Sequence, residues 1–443
     1  MRTQSDSVDH IIAAKGRAVA SFVAFGRGEA MPAHPLEVHL ELTDACNQQC
    51  VMCPSFSAFG GARRTEPGFL DFDAARQAIN ELAGPALMVN VSGFGEPTLH
   101  PRFFEILDLL AGQRVMTEFF TNGKNLDDAM LEKFVEKKVH RIMVSISGST
   151  AEQYESVYLG GRFESLLDTL KRIHQCKQRR QSSYPKVVIN SLSFRHHVAS
   201  LDSFVELMAG CGVDRINLTP LVEHPADLVP LAGHAVPLGS LAGNPVASRA
   251  GRVARRHGIE LAIHPSLMKT TNRLEQEDLP KVELSSFKGL ARRAQMKGRL
   301  RIHRGDSQCV IDPIGDSIEQ VRGLLGVRRF ENEEQSSFVC LEPFTTLYVR
   351  RSGRVKACCF MRDDTPALGN IFDSSVSEIW NGNGFQTVRE AVVNHEYPMV
   401  SCGNCLGHGQ APKTHRLDTL VQEYTLWHDE CSGSQLRDGG AEM

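Results

Sequence analysis

The sequence is poor in the features that would carry a protein into a membrane, onto nucleic acid or out of the cell. No apolar run in its 443 residues approaches the ~18 that a membrane-spanning helix needs, so no membrane partner is expected. Base is not in excess either. Forty-nine Lys and Arg stand against 52 Asp and Glu, a formal net charge of −3, and no global positive field recruits nucleic acid. The N-terminus opens Met-Arg-Thr-Gln-Ser-Asp-Ser. Its mildly amphipathic stretch from His10 to Phe25 is broken by Lys15, Gly16 and Arg17, so the continuous apolar region of an export signal is missing. Twelve cysteines are too few for a disulfide scaffold in a chain of this length, and they are clustered rather than spread. Without an export signal, clustering points to metal or redox chemistry in a reducing compartment, and the cytoplasm is the expected location. The remaining composition is that of an ordinary soluble chain, long enough for more than one domain.

The most informative cluster is Cys46, Cys50 and Cys53, in Leu-Thr-Asp-Ala-Cys-Asn-Gln-Gln-Cys-Val-Met-Cys. A cubane iron–sulfur cluster takes four ligands, usually thiolates. Three close thiolates with no fourth nearby leave one iron open to a small molecule, as an open zinc position is. A zinc knuckle or three free thiols is the plainer alternative. The C-x3-C-x2-C spacing resembles that of the radical S-adenosylmethionine (SAM) superfamily. The resemblance implies a [4Fe–4S] cluster on these three cysteines, with SAM chelating its open iron. It further implies reductive cleavage of SAM to a 5'-deoxyadenosyl radical, fed by an electron donor such as flavodoxin or ferredoxin.

From Leu36 to Glu223 strand-like and helix-like segments alternate. Strands are expected at Leu36–Leu42, Ala86–Ser92, Val115–Thr121, Arg141–Ser147, Lys186–Phe194 and Arg215–Pro220. Helices are expected at Asp73–Ala83, Pro101–Ala111, Leu126–Lys137, Glu164–Arg179 and Leu201–Ala209. Such alternation predicts a parallel sheet with right-handed crossovers. Pattern alone leaves an open doubly wound sheet and a partial barrel both standing. The radical SAM resemblance selects the partial (β/α)6 barrel, an α/β fold. The expected domains are an N-terminal extension (1–35), the barrel (36–223), a variable bridge or substrate lid (224–337), a small α+β cysteine-rich domain (338–410) and a C-terminal tail (411–443), disordered after Arg437. Within the bridge, a basic amphipathic helix (Ala247–His257) precedes a short strand (Ile259–His264).

Cysteines return at Cys340, Cys358, Cys359, Cys402 and Cys405. A hairpin is predicted here, with strands Thr345–Arg350 and Arg354–Cys359 around a Ser352-Gly353 turn. Successive strand side chains face opposite ways, so only one of Cys358 and Cys359 faces a cluster. The order of cysteine, Gly353 and Cys358, with Gly-Asn-Ile (369–371) and Ile-Trp-Asn (379–381), resembles the SPASM/twitch extension of radical SAM enzymes. The resemblance favours Cys358. It implies one auxiliary [4Fe–4S] cluster, the second of the chain, on Cys340, Cys358, Cys402 and Cys405. A structural zinc site with the same four ligands is the alternative.

The strand ends supply the candidate SAM contacts. Ser92-Gly93-Phe94-Gly95-Glu96-Pro97 contains two glycines, which let a ligand approach the backbone, and a carboxylate for an ammonium. It is similar to the family's Gly-Gly-Glu-Pro motif, although Phe94 separates the glycines, so the carry-over is to Gly95 and Glu96. A simple strand-to-helix turn is the other reading. By the same resemblance Asn122, Ser145, Ser147 and Asn190 are candidates for SAM carboxylate and ribose contacts, though many relatives carry Asp where Ser147 stands. Met52 sits where an adenine neighbour is usual, or is a core methionine. Adjacent His196 and His197, read as strand residues, face opposite ways and do not chelate together. Isolated Cys176 and Cys211 are expected to be buried small hydrophobes.

These features predict an enzyme that abstracts hydrogen from substrate. The main expectation is an oxidoreductase that oxidises an alcohol of a polar small molecule, such as an aminocyclitol or sugar, with the auxiliary cluster taking the second electron. The alternative is a maturase that cross-links, epimerises or oxidises a ribosomally made peptide. The roughly 35 residues before the barrel are too few for a winged-helix peptide-binding module, which a separate partner would then supply. Small-molecule deoxygenation or epimerisation is also open. A noncatalytic iron–sulfur or zinc protein is disfavoured by Glu96 and the barrel motifs.

Overall fold

The computed structural model describes residues 4–26, 31–53, 68–82, 84–221, 234–268, 310–313, 340–359, 361, 365–394, 396–397 and 416–438, with positions 317, 320, 322 and 328–329. The chain divides into two compact units that do not follow the domain order. One comprises 1–44, 68–118 and 304–443; the other comprises 45–67 and 119–303.

The described strands are β1 (Glu37–Leu40), β2 (Gln49–Cys50), β3 (Met88–Asn90), β4 (Met116–Thr121), β5 (Arg141–Ser145), β6 (Tyr158–Leu159), β7 (Lys186–Leu192), β8 (Arg215–Thr219), β9 (Glu260–Ile263), β10 (Arg328–Arg329), β11 (Thr346–Val349), β12 (Val355–Lys356) and β13 (Glu396–Tyr397). All six strands of the expected alternating series form. In the first unit β1 pairs in parallel with β3, and β3 with β4. In the second, β5–β7–β8–β9 is parallel throughout. The strand in the bridge region, β9, is thus an added parallel strand, delivered by the helix Pro245–His257. That helix starts at Asn244, whose side chain accepts from Val246 N, and stops at Gly258 in a left-handed conformation, a start and stop that local chemistry dictates.

Helices follow the sequence periodicity within a residue or two. Phe72–Leu82 buries Ala75, Ala78, Ile79 and Leu82, one stripe at helical spacing. Asp71 Oδ1 accepts from Asp73 N and Ala74 N at its start. Asp127 does the same for Asp128–Glu136 through Met130 N.

The hairpin of the C-terminal cysteine region joins the first unit's sheet. β11 runs parallel to β1 and antiparallel to β12, so the edge of β1 is paired rather than left as a template for aggregation. Gly353 makes its turn at φ 76°. The Ile-Trp-Asn element is an anchor. Trp380 is 1% exposed, donates its indole N–H to Pro32 O at 2.9 Å and lies under the Arg389 guanidinium, 4.2 Å from its ring centre.

Both chain ends carry helices that were not assigned from the sequence. Gln4–Gly26 and Arg416–Asp438 are 23-residue helices. Disorder was expected only after Arg437, and residues 439–443 lie outside the described residues; before them Leu420 and Trp427 are buried and Tyr424 donates to Arg114 O at 3.2 Å. Lys15 is also buried, bonded to Ala86 O, and burial lowers its pKa from 10.5 to about 7. Between about pH 7 and about 10.5 the unfolded chain therefore holds the extra proton, and stability rises with pH across that window. Lys15→Met is expected to stabilise the chain strongly at about pH 6 and little at about pH 10, measured by denaturant unfolding. An equal gain at both values would show that the amine is not desolvated.

Candidate iron–sulfur and cosubstrate site

In the second unit the cysteine loop is held by pairing that sequence pattern did not reveal. Gln49–Cys50 forms β2, antiparallel to β6, with Cys50 opposite Tyr158. Val51 N donates to Val157 O and Cys53 N to Cys50 O, which folds the third cysteine back over the second. β6 follows the helix Ala151–Val157, capped by Thr150 through Gln153 N. The Thr-x-x-Gln run at 150–153 was a legible start signal. Gln48, buried between the first two cysteines, donates to Tyr158 O at 3.3 Å and Tyr154 OH at 3.4 Å. The two tyrosine rings stack at 4.8 Å.

Cys46, Cys50 and Cys53 form no disulfide and are partly exposed, whereas Cys176 and Cys211 form none and are buried, as expected of inert core thiols. Among the described residues no three His, Cys, Asp or Glu side chains are drawn together at metal-binding distance. The three thiols share one short loop without converging. A soft, accessible thiol set of this kind suits an iron–sulfur cluster. Met52 is half-buried beside Cys53.

Asn122 lies at the end of β4 and reaches the cysteine loop. Its Nδ2 donates to Asn47 Oδ1 at 2.7 Å and makes a weak contact with Cys46 Sγ at 3.9 Å. Ser145 and Asn190 are both half-buried and stand opposite each other in the β5–β7 register. Asn217, which sequence reasoning missed, extends this row onto β8. Its only sequence signal was alternation in Arg-Ile-Asn-Leu-Thr. Arg215, two residues back on that face, donates to Asn217 Oδ1 at 2.7 Å and pairs with Glu260 at 3.1 Å. On the opposite face Ile142, Val144, Val187, Ile189, Ile216 and Leu218 are buried. This half of the sheet therefore has one closed apolar face and one partly open polar face.

Ser147, expected to touch a ligand, is instead completely buried. Its Oγ accepts from Leu192 N at 2.9 Å and bonds Tyr158 OH at 3.0 Å and Ser191 Oγ at 3.4 Å. Those bonds fill the capacity of one hydroxyl. His196 and His197 lie in the short helix Arg195–Val198 rather than on a strand. His197 accepts from Gly148 N at Nδ1 and bonds Ser191 Oγ through Nε2. Burial lowers the pKa of His197 to about 3 and of His196 to about 4.

In the first unit Gly95 and Glu96 follow β3. Glu96 is 2% exposed and caps the short 3-10 turn Pro97–Leu99. Its Oε1 accepts from Thr98 N at 3.3 Å and Thr98 Oγ1 at 2.7 Å. A carboxylate has roughly four acceptor positions, so this cap leaves capacity for a further donor. Gly93 does not make room for a ligand. A Cβ there would fall 2.2 Å from Glu41 Cγ.

In the hairpin domain Cys340 and Cys358 are partly exposed and Cys359 is exposed. β12 ends at Lys356, so strand alternation does not extend to Cys358 and Cys359, which sit in a bend and turn. The difference in burial still favours Cys358. Cys402 and Cys405 lie outside the described residues.

A parallel α/β sheet with a three-thiol loop beside one of its strand ends and a cysteine-bearing hairpin defines an iron–sulfur protein class. Residues 40–197 match the radical SAM superfamily, and residues 340–406 match the SPASM iron–sulfur cluster-binding domain. These matches give the chain a radical SAM domain and a C-terminal SPASM-type domain, which imply [4Fe–4S] clusters and SAM as its cofactors. It is 29% identical over 174 residues to the mycofactocin maturase MftC of Mycobacterium ulcerans, covering 39% of this chain and 44% of that protein. It is 26% identical over 199 residues to a tungsten-containing aldehyde ferredoxin oxidoreductase cofactor-modifying protein of Pyrococcus furiosus, covering 43% and 54%. The matched region thus spans about half the length of these relatives. Among solved structures, SuiB of Streptococcus suis bound to S-adenosylmethionine superposes with a TM-score of 0.55 at 13% identity, over 83% of this chain and 70% of SuiB. That likeness shows a shared α/β fold with a parallel sheet. Among the described residues no helix is long and apolar enough to cross a membrane.

Proposed function

We propose that this chain is a peptide-modifying radical SAM maturase. The observation that carries the reading is its similarity, over 174 residues, to a mycofactocin maturase. The half-buried row Ser145, Asn190 and Asn217 supports it, because hydroxyls and side-chain amides offer donors and acceptors that match a peptide backbone. The alcohol oxidation expected from the C-terminal cysteine pattern has no such relative among those described above.

Cys46, Cys50 and Cys53 would hold the first cluster. Cys340 and Cys358, with Cys402 and Cys405, would hold the auxiliary one. The first cluster, when bound, supplies the electron that cleaves SAM. Glu96 would bind the SAM ammonium beside Gly95. Asn122 would fix the cysteine loop through Asn47. Ser145 and Asn190 would contact the rest of SAM or the substrate, with Met52 near adenine. Ser147 would act only by holding β6 through Tyr158. Within residues 224–337, the helix Pro245–His257 and β9 would extend the sheet of the second unit.

The test is anaerobic incubation of reconstituted protein with SAM, reductant and two substrate sets: a short peptide encoded beside the gene, and a panel of aminocyclitols and sugars. A mass change confined to the peptide, in step with 5'-deoxyadenosine, is the expected result. Product from the sugar panel alone would overturn the proposal. Separately, Glu96→Ala is expected to weaken SAM binding about 10- to 100-fold, since a charge-assisted bond to a buried carboxylate contributes about 1.5–3 kcal/mol. Calorimetric titration of the reconstituted protein measures this, and unchanged affinity removes Glu96 from the site.

A further inference from the structure

We propose that the SPASM-type hairpin positions the loop carrying Glu96, through a buckle of buried Glu41 and Asp44 with half-buried Arg350 and Arg351. The inference rests on the reading that Glu96 binds the SAM ammonium. Glu41 follows β1 and is 3% exposed. Its Oε1 accepts from Phe94 N at 2.8 Å, and its Oε2 accepts from Arg351 N at 3.1 Å. Arg350 stands 3.9 Å from Glu41 Oε1, and its guanidinium lies 4.5 Å from the centre of the Phe94 ring. Asp44, also buried, pairs with Arg351 Nε at 2.6 Å and accepts from Gly68 N at 2.8 Å. Gly95 N adds a bond to Thr43 O at 3.2 Å.

Two buried carboxylates thus gather backbone N–H groups from three separate segments: the loop after β3, the hairpin turn, and the chain returning from the cysteine loop. Burying charges is costly compared with burying apolar groups of the same size, so a network like this is a poor choice for stability alone. Its geometric consequence is specific. The N–H that Glu41 holds belongs to Phe94, two residues before Glu96. Gly93 is required because Glu41 occupies the space of a Cβ at that position. This accounts for the inserted Phe94. Its ring and its N–H are the two handles by which the hairpin and β1 grip the loop.

None of the four charged residues touches SAM in this scheme; all are positioning residues. Glu41→Gln retains one acceptor oxygen and cannot serve both Phe94 N and Arg351 N. Gly93→Ala leaves every charge in place and displaces the Glu41 carboxylate. In reconstituted protein both variants are expected to raise the Kd and the KM for SAM about tenfold, with kcat at saturating SAM and iron content near wild type. The change that SAM causes in the electron paramagnetic resonance spectrum of the reduced first cluster should appear only at higher SAM concentration. Arg350→Leu, which removes the grip on the Phe94 ring, should act in the same direction. SAM affinity within twofold of wild type in Glu41→Gln and Gly93→Ala, with iron intact, would overturn the proposal. If Glu41→Gln fails to fold, Gly93→Ala and Arg350→Leu decide it. If Glu96→Ala itself leaves SAM affinity unchanged, the SAM-site reading is what fails. If Glu96→Ala weakens binding and the buckle variants do not, only the buckle is wrong.

Discussion

Anaerobic reconstitution is expected to load about eight irons per chain, and the triple variant Cys46→Ala, Cys50→Ala, Cys53→Ala about four, the content of one remaining cubane. The same variant should make no 5'-deoxyadenosine. The effect is complete because the three thiols are the only cysteines on the loop after β1. Cys176 and Cys211 are buried and cannot substitute for them. The loop's frame should survive, because it is built from backbone pairing to β6 and from Gln48, none of which uses sulfur. Iron analysis and a chromatographic assay for 5'-deoxyadenosine check both parts. Zinc without iron in the parent protein, or no iron in the triple variant, would sink the two-cluster reading.

The second large effect separates Cys358 from Cys359. Cys358→Ala is expected to lose or distort the auxiliary cluster while the first cluster survives on its own loop. Unproductive 5'-deoxyadenosine formation should then persist while substrate product falls sharply. Cys359→Ala should be much milder, since that side chain is exposed where its neighbour is partly buried. The comparison is read as the ratio of product to 5'-deoxyadenosine, alongside the iron content of each variant. The reverse pattern would move the ligand by one residue. No effect from either substitution would make the C-terminal cluster absent or purely structural, and electron transfer through it would lose its support.

The spacing of Cys46, Cys50 and Cys53, the alternation that became β1, β3, β4, β5, β7 and β8, and the hairpin turn at Gly353 were all legible in the sequence. Each is a local property. Thiol spacing sits in one loop, helical and strand periods repeat within a dozen residues, and turns need particular residues at fixed offsets. Helix ends obey the same short range, since caps such as Asp71 and Asp127 act on the next few N–H groups.

Only the tertiary structure decided what those elements do to one another. The family resemblance put Ser147 among the SAM contacts, but the register of β7 and the placement of β6 closed it in with Leu192 and Tyr158. Gly93 looked like room for a cosubstrate, yet the space belongs to a glutamate 52 residues earlier in the chain. The helix Arg416–Asp438 was not assigned from sequence, because an isolated helix has little stability of its own in water; burial of Leu420 and Trp427 supplies what its sequence alone does not show. Arg351 and Glu41 are 310 residues apart and meet because β11 pairs in parallel with β1. Sequence by itself determined the three-thiol loop and the alternating α/β class, because ligand spacing and hydrophobic period are short-range; the partial barrel and the SAM chemistry came from the family resemblance. Which polar groups remain open to a ligand was settled by long-range packing, because a buried donor or acceptor must find a partner wherever the fold brings one.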